Sequence, residues 1–356
     1  MKRMLFVTAY PPSNQGGGEL VTLDAIKRLS KDFEIDLVYF DYPSHKNLAE
    51  PYVKSVQVYY PSKKGCISKI KYFPLFTRRF DKKLLSKIQS VVSNYDILFF
   101  DFSQTAIYSL YIKHPYKVIR CHDVIFQKYG RKCKLIIPWV KYTEKKILQS
   151  AQKVFTLTKK DSELLKNEYR IDAKFSSDVL DIGDYVIPDI IELNNKFIFF
   201  GYWKRKENSD GLIWFLDKVY PLLNENRKNC LVVMGGGLSE SIINLYLQKL
   251  GVKYLGYVDD CYPEIVKYSA MICPLFQGAG IKIKVLDSYI TGTPVIGTDI
   301  AFEGIPYIKD LEYRCNTPEA FATTINNFTS YNIMEKKELK KSFNSIKTGN
   351  TLINQL

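Results

Sequence analysis

Fully apolar runs of strand length alternate with amphipathic stretches of helix length along the chain, and this alternation limits the fold more than any other feature. Residues 4–8, 35–40, 97–100, 117–121 and 153–157 read as strands. Residues 19–29, 84–92 and 142–149 carry apolar side chains at helical spacing. A strand that is apolar on both faces must be covered on both, which is the situation of a parallel sheet between two helix layers. The pattern restarts at 197–201, passes through a helix near 211–223, and continues with strands at 231–234, 253–255, 270–274 and 294–296. A second start predicts a second doubly wound α/β domain, and 356 residues exceed what one core usually serves. Gly, Asp, Pro and Asn cluster at 183–195, so the boundary is expected there, with a first domain over 1–184 and a second over 185–340.

Charge separates the two halves. The chain carries a net charge of +14, and residues 1–185 hold 32 Lys and Arg against 19 Asp and Glu, nearly the whole excess. Such a bias predicts an anionic partner for the first domain: a membrane surface, a phosphorylated acceptor or a nucleic acid. No apolar run is long enough to span a bilayer. The N-terminus, MKRMLFVTAYPP, is charged and then apolar, but the apolar run is short and ends in prolines, so it reads as a first buried strand rather than a signal peptide. The seven cysteines form no Cys-x-x-Cys pair and fit buried thiols in a reducing cytoplasm, not a zinc site.

The candidate functional residues fall where predicted strands end. Gly16, Gly17 and Gly18 follow the first strand and precede the first helix, a place where exposed backbone N–H groups favour anions. The triplet is not GxGxxG, and the glycine loop and second strand do not make the pattern a dinucleotide fold needs, which disfavours a nicotinamide dinucleotide enzyme. His122 and Asp123 end the strand 117–121, and His122 is one of three histidines, with His45 and His114. Gly201 ends the first strand of the second domain and is followed by Lys204, Arg205 and Lys206, among which the sequence does not choose. Gly235, Gly236 and Gly237 follow the strand 231–234, and Val258 lies in the turn after 253–255. Residues 276–304, FQGAGIKIKVLDSYITGTPVIGTDIAFEG, form a glycine turn, a helix and a strand, with Lys282, Lys284 and Asp287 at the helix entrance or within it. That arrangement suits a diphosphate at the helix N-terminus and a ribose hydroxyl on the carboxylate.

This last segment resembles the donor-sugar-nucleotide site of glycosyltransferases with two facing Rossmann-like domains, the GT-B fold, and in particular retaining glycosyltransferase family 4. The matched positions are Gly278, Gly280, Lys284, Asp287, Gly292, Pro294 and Val295. The family's usual pair of glutamates is absent: the second falls on Asp287 and the first on Ala279. The resemblance implies two Rossmann-like domains across a cleft, with a chain-terminal helix, here 341–356, returning to the first. It implies transfer of a sugar from a UDP- or GDP-sugar with retention of configuration, no cofactor and no metal, the Asp-x-Asp motif being absent. Donor-binding positions are Gly17, Gly18, Gly201, Lys204, Arg205, Gly236, Val258, Gly278, Ala279, Gly280, Lys282 and Asp287. Lys284 would stabilise the leaving diphosphate, and His122 and Asp123 would line the acceptor side. A basic first domain without a spanning segment suggests a saccharide or lipid-linked acceptor at the inner membrane face, as in surface polysaccharide (O-antigen or capsule) assembly. A nucleotide-sugar epimerase shares the fold and is the alternative, as is a basic binding protein without catalysis.

Residues 63–88 hold nine basic residues and one acid, with Tyr72, Phe73, Phe76 and Phe80 between them. Lys69, Lys71, Phe76, Arg78 and Arg79 are therefore expected to meet an anionic membrane surface or the acceptor, lysines and arginines by charge and rings by insertion. A peripheral location on the inner face of the plasma membrane follows. Nucleic acid binding is not expected, because no recognised motif accompanies the basic residues.

Overall fold

The computed structural model describes residues 1–43, 45–60, 71–130, 133–278, 280–349 and 351–356. The chain divides into two units, Met1–Ile182 with Gly349–Leu356, and Gly183–Thr348. The first is built on strands β1 (Lys2–Thr8), β2 (Phe33–Phe40), β3 (Ser55–Tyr59), β4 (Ile97–Asp101), β5 (Lys117–Cys121), β6 (Lys153–Thr156) and β7 (Lys174–Phe175). They lie in the order β3-β2-β1-β4-β5-β6-β7, every neighbour parallel. The second unit contains β8 (Phe197–Phe200), β9 (Leu231–Met234), β10 (Lys253–Tyr254), β11 (Ala270–Cys273), β12 (Val295–Gly297) and β13 (Glu312–Arg314). Their order is β10-β9-β8-β11-β12-β13, again all parallel. The fold is α/β with two doubly wound sheets.

The two-residue period of a strand decides which core each side chain enters. In β1, Leu5 and Val7 join a cluster with Phe76, Leu98, Phe100 and Ile119. Met4 and Phe6 point the other way, into a cluster with Leu23, Ile26, Ile97, Phe99 and Val118. Both faces are dry, which explains the uninterrupted apolar runs. Edge strands β3, β7 and β13 escape this logic. They have one strand neighbour each, are short or half-exposed, and leave little apolar signature.

The chain end differs from the expected helix over 341–356. The helix is Ile333–Ser345 and belongs to the second unit. Its buried residues are Lys336, Leu339 and Phe343, one stripe of a polar helix. Phe343 meets Tyr289 of the helix Ile283–Ile290, ring centroids 5.8 Å apart. Only Gly349–Leu356 lies with the first unit, through the buried Leu352 and hydrogen bonds from Leu352 N to Asp178 (2.7 Å) and from the Tyr116 hydroxyl to the Leu356 carbonyl (2.9 Å).

In each sheet one strand begins the order in both directions, β1 between β2 and β4, and β8 between β9 and β11. Loops leaving such a switch point part to opposite sides, so the carboxyl ends of these strands are the places to look for ligands.

Lys336 is buried, with Nζ donating to the Tyr268 carbonyl (2.8 Å) and Thr293 Oγ1 (2.9 Å) and no carboxylate partner among the described residues. Burial pushes its pKa down to about 7. The unfolded chain, with an ordinary lysine pKa of about 10.4, holds the proton over a range where the native state has lost it, so stability should rise with pH in that window. Urea midpoints at about pH 7 and about pH 9 should therefore rise more for the native protein than for Lys336→Met; parallel changes would show that the amine is not coupled to folding.

Candidate functional site

In the first unit the register of β1, β4 and β5 sets Asp101 beside Thr8 and Arg120. Asp101 is fully buried and accepts from Arg120 Nε (2.6 Å), His122 Nε2 (3.0 Å) and Thr22 Oγ1 (2.5 Å). Burial works to raise its pKa, but Arg120 and His122 outweigh it and hold the carboxyl well below the usual range. For His122 burial is the largest influence and lowers the pKa against the pull of Asp101. The ring is thus neutral at neutral pH. A carboxylate can only accept, so Nε2 carries the proton and Nδ1 keeps a lone pair. Nδ1 bonds to no described residue. It lies 3.4 Å from where a Cβ on Gly18 would stand, and Phe102 would be 3.0 Å from the same point. Phe102 stacks on the imidazole with centroids 3.6 Å apart, from a left-handed backbone (φ 67°) unusual for an aromatic residue.

The turn after His122 is held from behind. Glu144, on the helix Ile137–Leu148, accepts from the backbone N–H groups of Ile125 (2.7 Å) and Phe126 (3.2 Å) and from the Tyr169 hydroxyl (2.9 Å). Asp123 is half-buried and pairs with Lys128 at 3.0 Å. Glu19, in the first turn of the helix Gly17–Leu29, accepts from Ser13 Oγ (3.1 Å) and from His45 Nδ1 (2.7 Å).

In the second unit, backbone approach rather than side chains shapes the strand ends. Gly235 has φ 114°, and a Cβ there would lie 1.9 Å from the Gly201 carbonyl oxygen. Its N–H donates to the Gly256 carbonyl (2.7 Å), and Trp203 N–H donates to the Gly236 carbonyl (2.9 Å). Loops after β8, β9 and β10 are thereby tied together. The loop after β11 brings Gly278 (φ 119°) and Gly280 (φ 69°) to the start of the helix Ile283–Ile290. Lys284 reaches back across the sheet edge, its Nζ donating to Asn208 Oδ1 (2.8 Å) and lying 3.6 Å from a Cβ position on Gly201. Asn208 Nδ2 in turn donates to the Tyr202 carbonyl (2.9 Å). Asp287 is buried and accepts from the Tyr262 hydroxyl (3.3 Å). Burial raises its pKa to about 7, with the Tyr262 bond opposing. A cation, several glycine backbones and a carboxylate therefore meet at one strand-end face, a combination that fits a nucleoside diphosphate.

Residues 194–330 match the family model for glycosyl transferases group 1. The match falls within the second unit. A protein of Klebsiella pneumoniae described as an uncharacterized 44.6 kDa protein in the cps region is 31% identical over 125 residues, 33% of this chain and 32% of that one. The alignment thus spans about a third of that relative. HepE of Anabaena, solved in complex with UDP, superposes with a TM-score of 0.67 at 14% identity, covering 99% of this chain and 97% of that one. WaaG, a glycosyltransferase involved in lipopolysaccharide biosynthesis, gives a TM-score of 0.66 at 15% identity over 100% and 98% of the two chains. A glycosyltransferase from Rickettsia africae gives 0.64 at 13% identity over 99% and 96%. The two parallel-sheet units are those of a GT-B fold.

In the matched region, Gly201, Gly236, Gly278, Gly280, Lys282, Lys284 and Asp287 all stand at the carboxyl ends of β8 to β11 or on the helix that follows. Lys282 folds onto its own loop, donating to the Gly280 carbonyl. Lys204 and Arg205 are exposed, and the Lys204 stem would meet a Cβ on Gly237 at 2.9 Å. Val258 is half-buried, beyond the Gly256 carbonyl that holds Gly235. Ala279 lies outside the described residues. In the first unit, Gly17 opens the helix and Gly18 packs against Phe102 and His122, while Gly16 faces Glu19.

The expected membrane residues need correction. Phe76 is fully buried in the first unit's core, and Phe73 and Phe80 pack with it, so these rings are not available for insertion. Arg79 is also buried, its guanidinium 4.4 Å over the Tyr10 ring and Nε bonded to the Ala9 carbonyl (2.8 Å). Lys71 and Arg78 are exposed, and Lys69 lies outside the described residues. Aromatic residues at helix-like spacing beside lysines fit a core and a membrane face equally well, and here they form a core. The sequence carries no sign of Asp101 and no separate role for Glu19, His45 or Tyr262, because their contacts with His122, one another and Asp287 join positions far apart in the chain. Gly235→Ala should cost the protein roughly 2 kcal/mol or more, since a Cβ must displace the Gly201 carbonyl from a left-handed backbone; an unchanged urea midpoint would contradict the close approach.

Proposed function

We propose that the chain transfers a sugar from a UDP- or GDP-sugar to a saccharide acceptor, lipid-linked, in surface polysaccharide assembly. The observation that carries this reading is Lys284 held 2.8 Å from Asn208 beside Gly201, among the glycine loops of the second unit. Departure of the nucleotide from the sugar leaves negative charge on the diphosphate. Fixed cations and N–H groups that meet this charge lower the barrier without reorganising. Lys284 supplies that charge, helped by Lys282 and the basic run Lys204 to Lys206, so no metal is required. Asp287 takes the ribose hydroxyls, and the backbone near Val258 takes the base. HepE was solved with UDP, which supports a uridine nucleotide. The Klebsiella relative in the cps region supports polysaccharide assembly.

His122, a neutral imidazole backed by Asp101, offers Nδ1 as a hydrogen-bond acceptor on the acceptor side, with Asp123 beside it. Retention of configuration belongs to this reading, through the resemblance to family 4. Among the described residues no helix is long and apolar enough to cross a membrane. Association with an anionic inner leaflet would rest on exposed charges such as Lys71 and Arg78.

Turnover should be acceptor-dependent, which separates transfer from epimerisation. Lys284→Ala should lower the transfer rate on the order of 10²- to 10³-fold at unchanged thermal midpoint, the size seen when one transition-state contact is lost. A rate near that of the native protein would sink the assignment. Asp287 binds ribose hydroxyls best when ionised, and its pKa of about 7 places the change near neutrality. Nucleotide affinity measured by calorimetry should therefore weaken as pH falls through about 7, and Asp287→Asn should flatten that dependence. A flat profile in the native protein would exclude the carboxylate from the binding step.

A further inference from the structure

The first unit holds a second carboxylate–histidine pair that the reading above leaves unused. Glu19 is only 8% exposed, yet it sits at the sheet's carboxyl edge and not in the apolar interior. Oε2 takes both Ser13 and His45, while Oε1 has no partner among the described residues. The loop is closed down on this carboxylate, since a Cβ on Gly16 would stand 2.5 Å from Oε2. A carboxylate accepts, so Nδ1 of His45 is the donor to Glu19, and in the neutral imidazole Nε2 then keeps the lone pair. His45 packs edge-on to Tyr42 at 4.7 Å, Tyr42 to Tyr10 at 5.6 Å, and Tyr10 to Phe102 at 5.2 Å. Phe102 then stacks on His122. Arg79 over Tyr10 locks the middle of this aromatic wall. Both ends of the wall are therefore imidazoles braced by a carboxylate.

The polar atoms along this wall include the acceptors Glu19 Oε1 and, in the neutral imidazole, His45 Nε2, while His122 Nδ1 is an acceptor buried against Gly18 and Phe102. Aromatic faces lie between them. Acceptors flanking aromatic rings match a saccharide, whose hydroxyls donate and whose C–H faces are apolar. They do not match a phosphate, which brings acceptors only and a charge of the same sign as Glu19. The positive end of the helix Gly17–Leu29 is already met by that carboxylate. We propose that Glu19 and His45 form an acceptor subsite that takes an uncharged saccharide unit and rejects a phosphorylated one. The proposal rests on the transferase reading for its biological role, but its binding prediction stands on the first unit alone.

The test uses the full chain and defined probes: methyl glycosides of glucose, galactose, mannose and rhamnose, with glucose 1-phosphate and glucose 6-phosphate as charged counterparts. Binding is followed by ligand-observed NMR, with UDP and GDP titrated separately by calorimetry. The native protein should bind at least one methyl glycoside in preference to both sugar phosphates. Glu19→Gln should weaken that glycoside by roughly tenfold, about 1.4 kcal/mol, and narrow the discrimination against the phosphates, with nucleotide affinity unchanged. If that variant does not fold, His45→Gln, at the half-exposed rim, is read in the same way, without the charge effect. The proposal is overturned if no glycoside binds the native protein, if a sugar phosphate binds as well, or if the variant leaves glycoside affinity intact. Loss of UDP and GDP binding in the native protein would instead overturn the donor assignment in the second unit.

Discussion

The buried carboxylate of Asp101 is the contact on which the first unit's functional edge depends. It joins β4 to β5 through Arg120 and His122 and joins both to the first helix through Thr22. A bare carboxylate in such a place would be protonated or would unfold its surroundings. The guanidinium and the imidazole prevent that, and so the pair and its ion persist together. Removing one partner of a buried ionic cluster of this kind costs roughly 3–5 kcal/mol, several times the contribution of an exposed pair. The consequence reaches the chemistry directly: because Asp101 accepts from Nε2, the tautomer of His122 is set and Nδ1 keeps its lone pair.

The second unit solves its positioning problem without a buried ion. Its loops are brought together by the absence of side chains, Gly235 against the Gly201 carbonyl and Gly236 against the Trp203 amide. Lys284 and Asn208 then cross between loops with side-chain atoms. One unit thus fixes imidazoles by charge, and the other gathers glycine backbones and a cation by close approach. The division suits a donor whose diphosphate needs positive charge and an acceptor whose hydroxyls need lone pairs.

Much of the fold was legible because buried parallel strands advertise themselves. The runs at 117–121 and 231–234 coincide with β5 and β9, both fully buried. The edge strands β3 and β13 were not legible, since half-exposed residues need no apolar pattern. The site was legible where one loop carries several of its residues, as from Gly278 to Asp287. It was hidden where partners meet only in three dimensions. Glu19 and His45 are 26 positions apart, and Asp101 and His122 are 21 apart. Asp101 lies just past the apolar run 97–100, and His45 stands out only as one of three histidines. The aromatic residues at 72–80 misled for a different reason: spacing gives the faces of a short helix, but not what covers them.

The central claim is that the second unit holds a nucleoside diphosphate on glycine loops and Lys284. Amide hydrogen exchange of the full chain with and without UDP or GDP tests it most directly. The account predicts slower exchange on nucleotide addition at 201–208, 235–237 and 278–287. Protection at 16–20 alone, or no protection with either nucleotide, would contradict it.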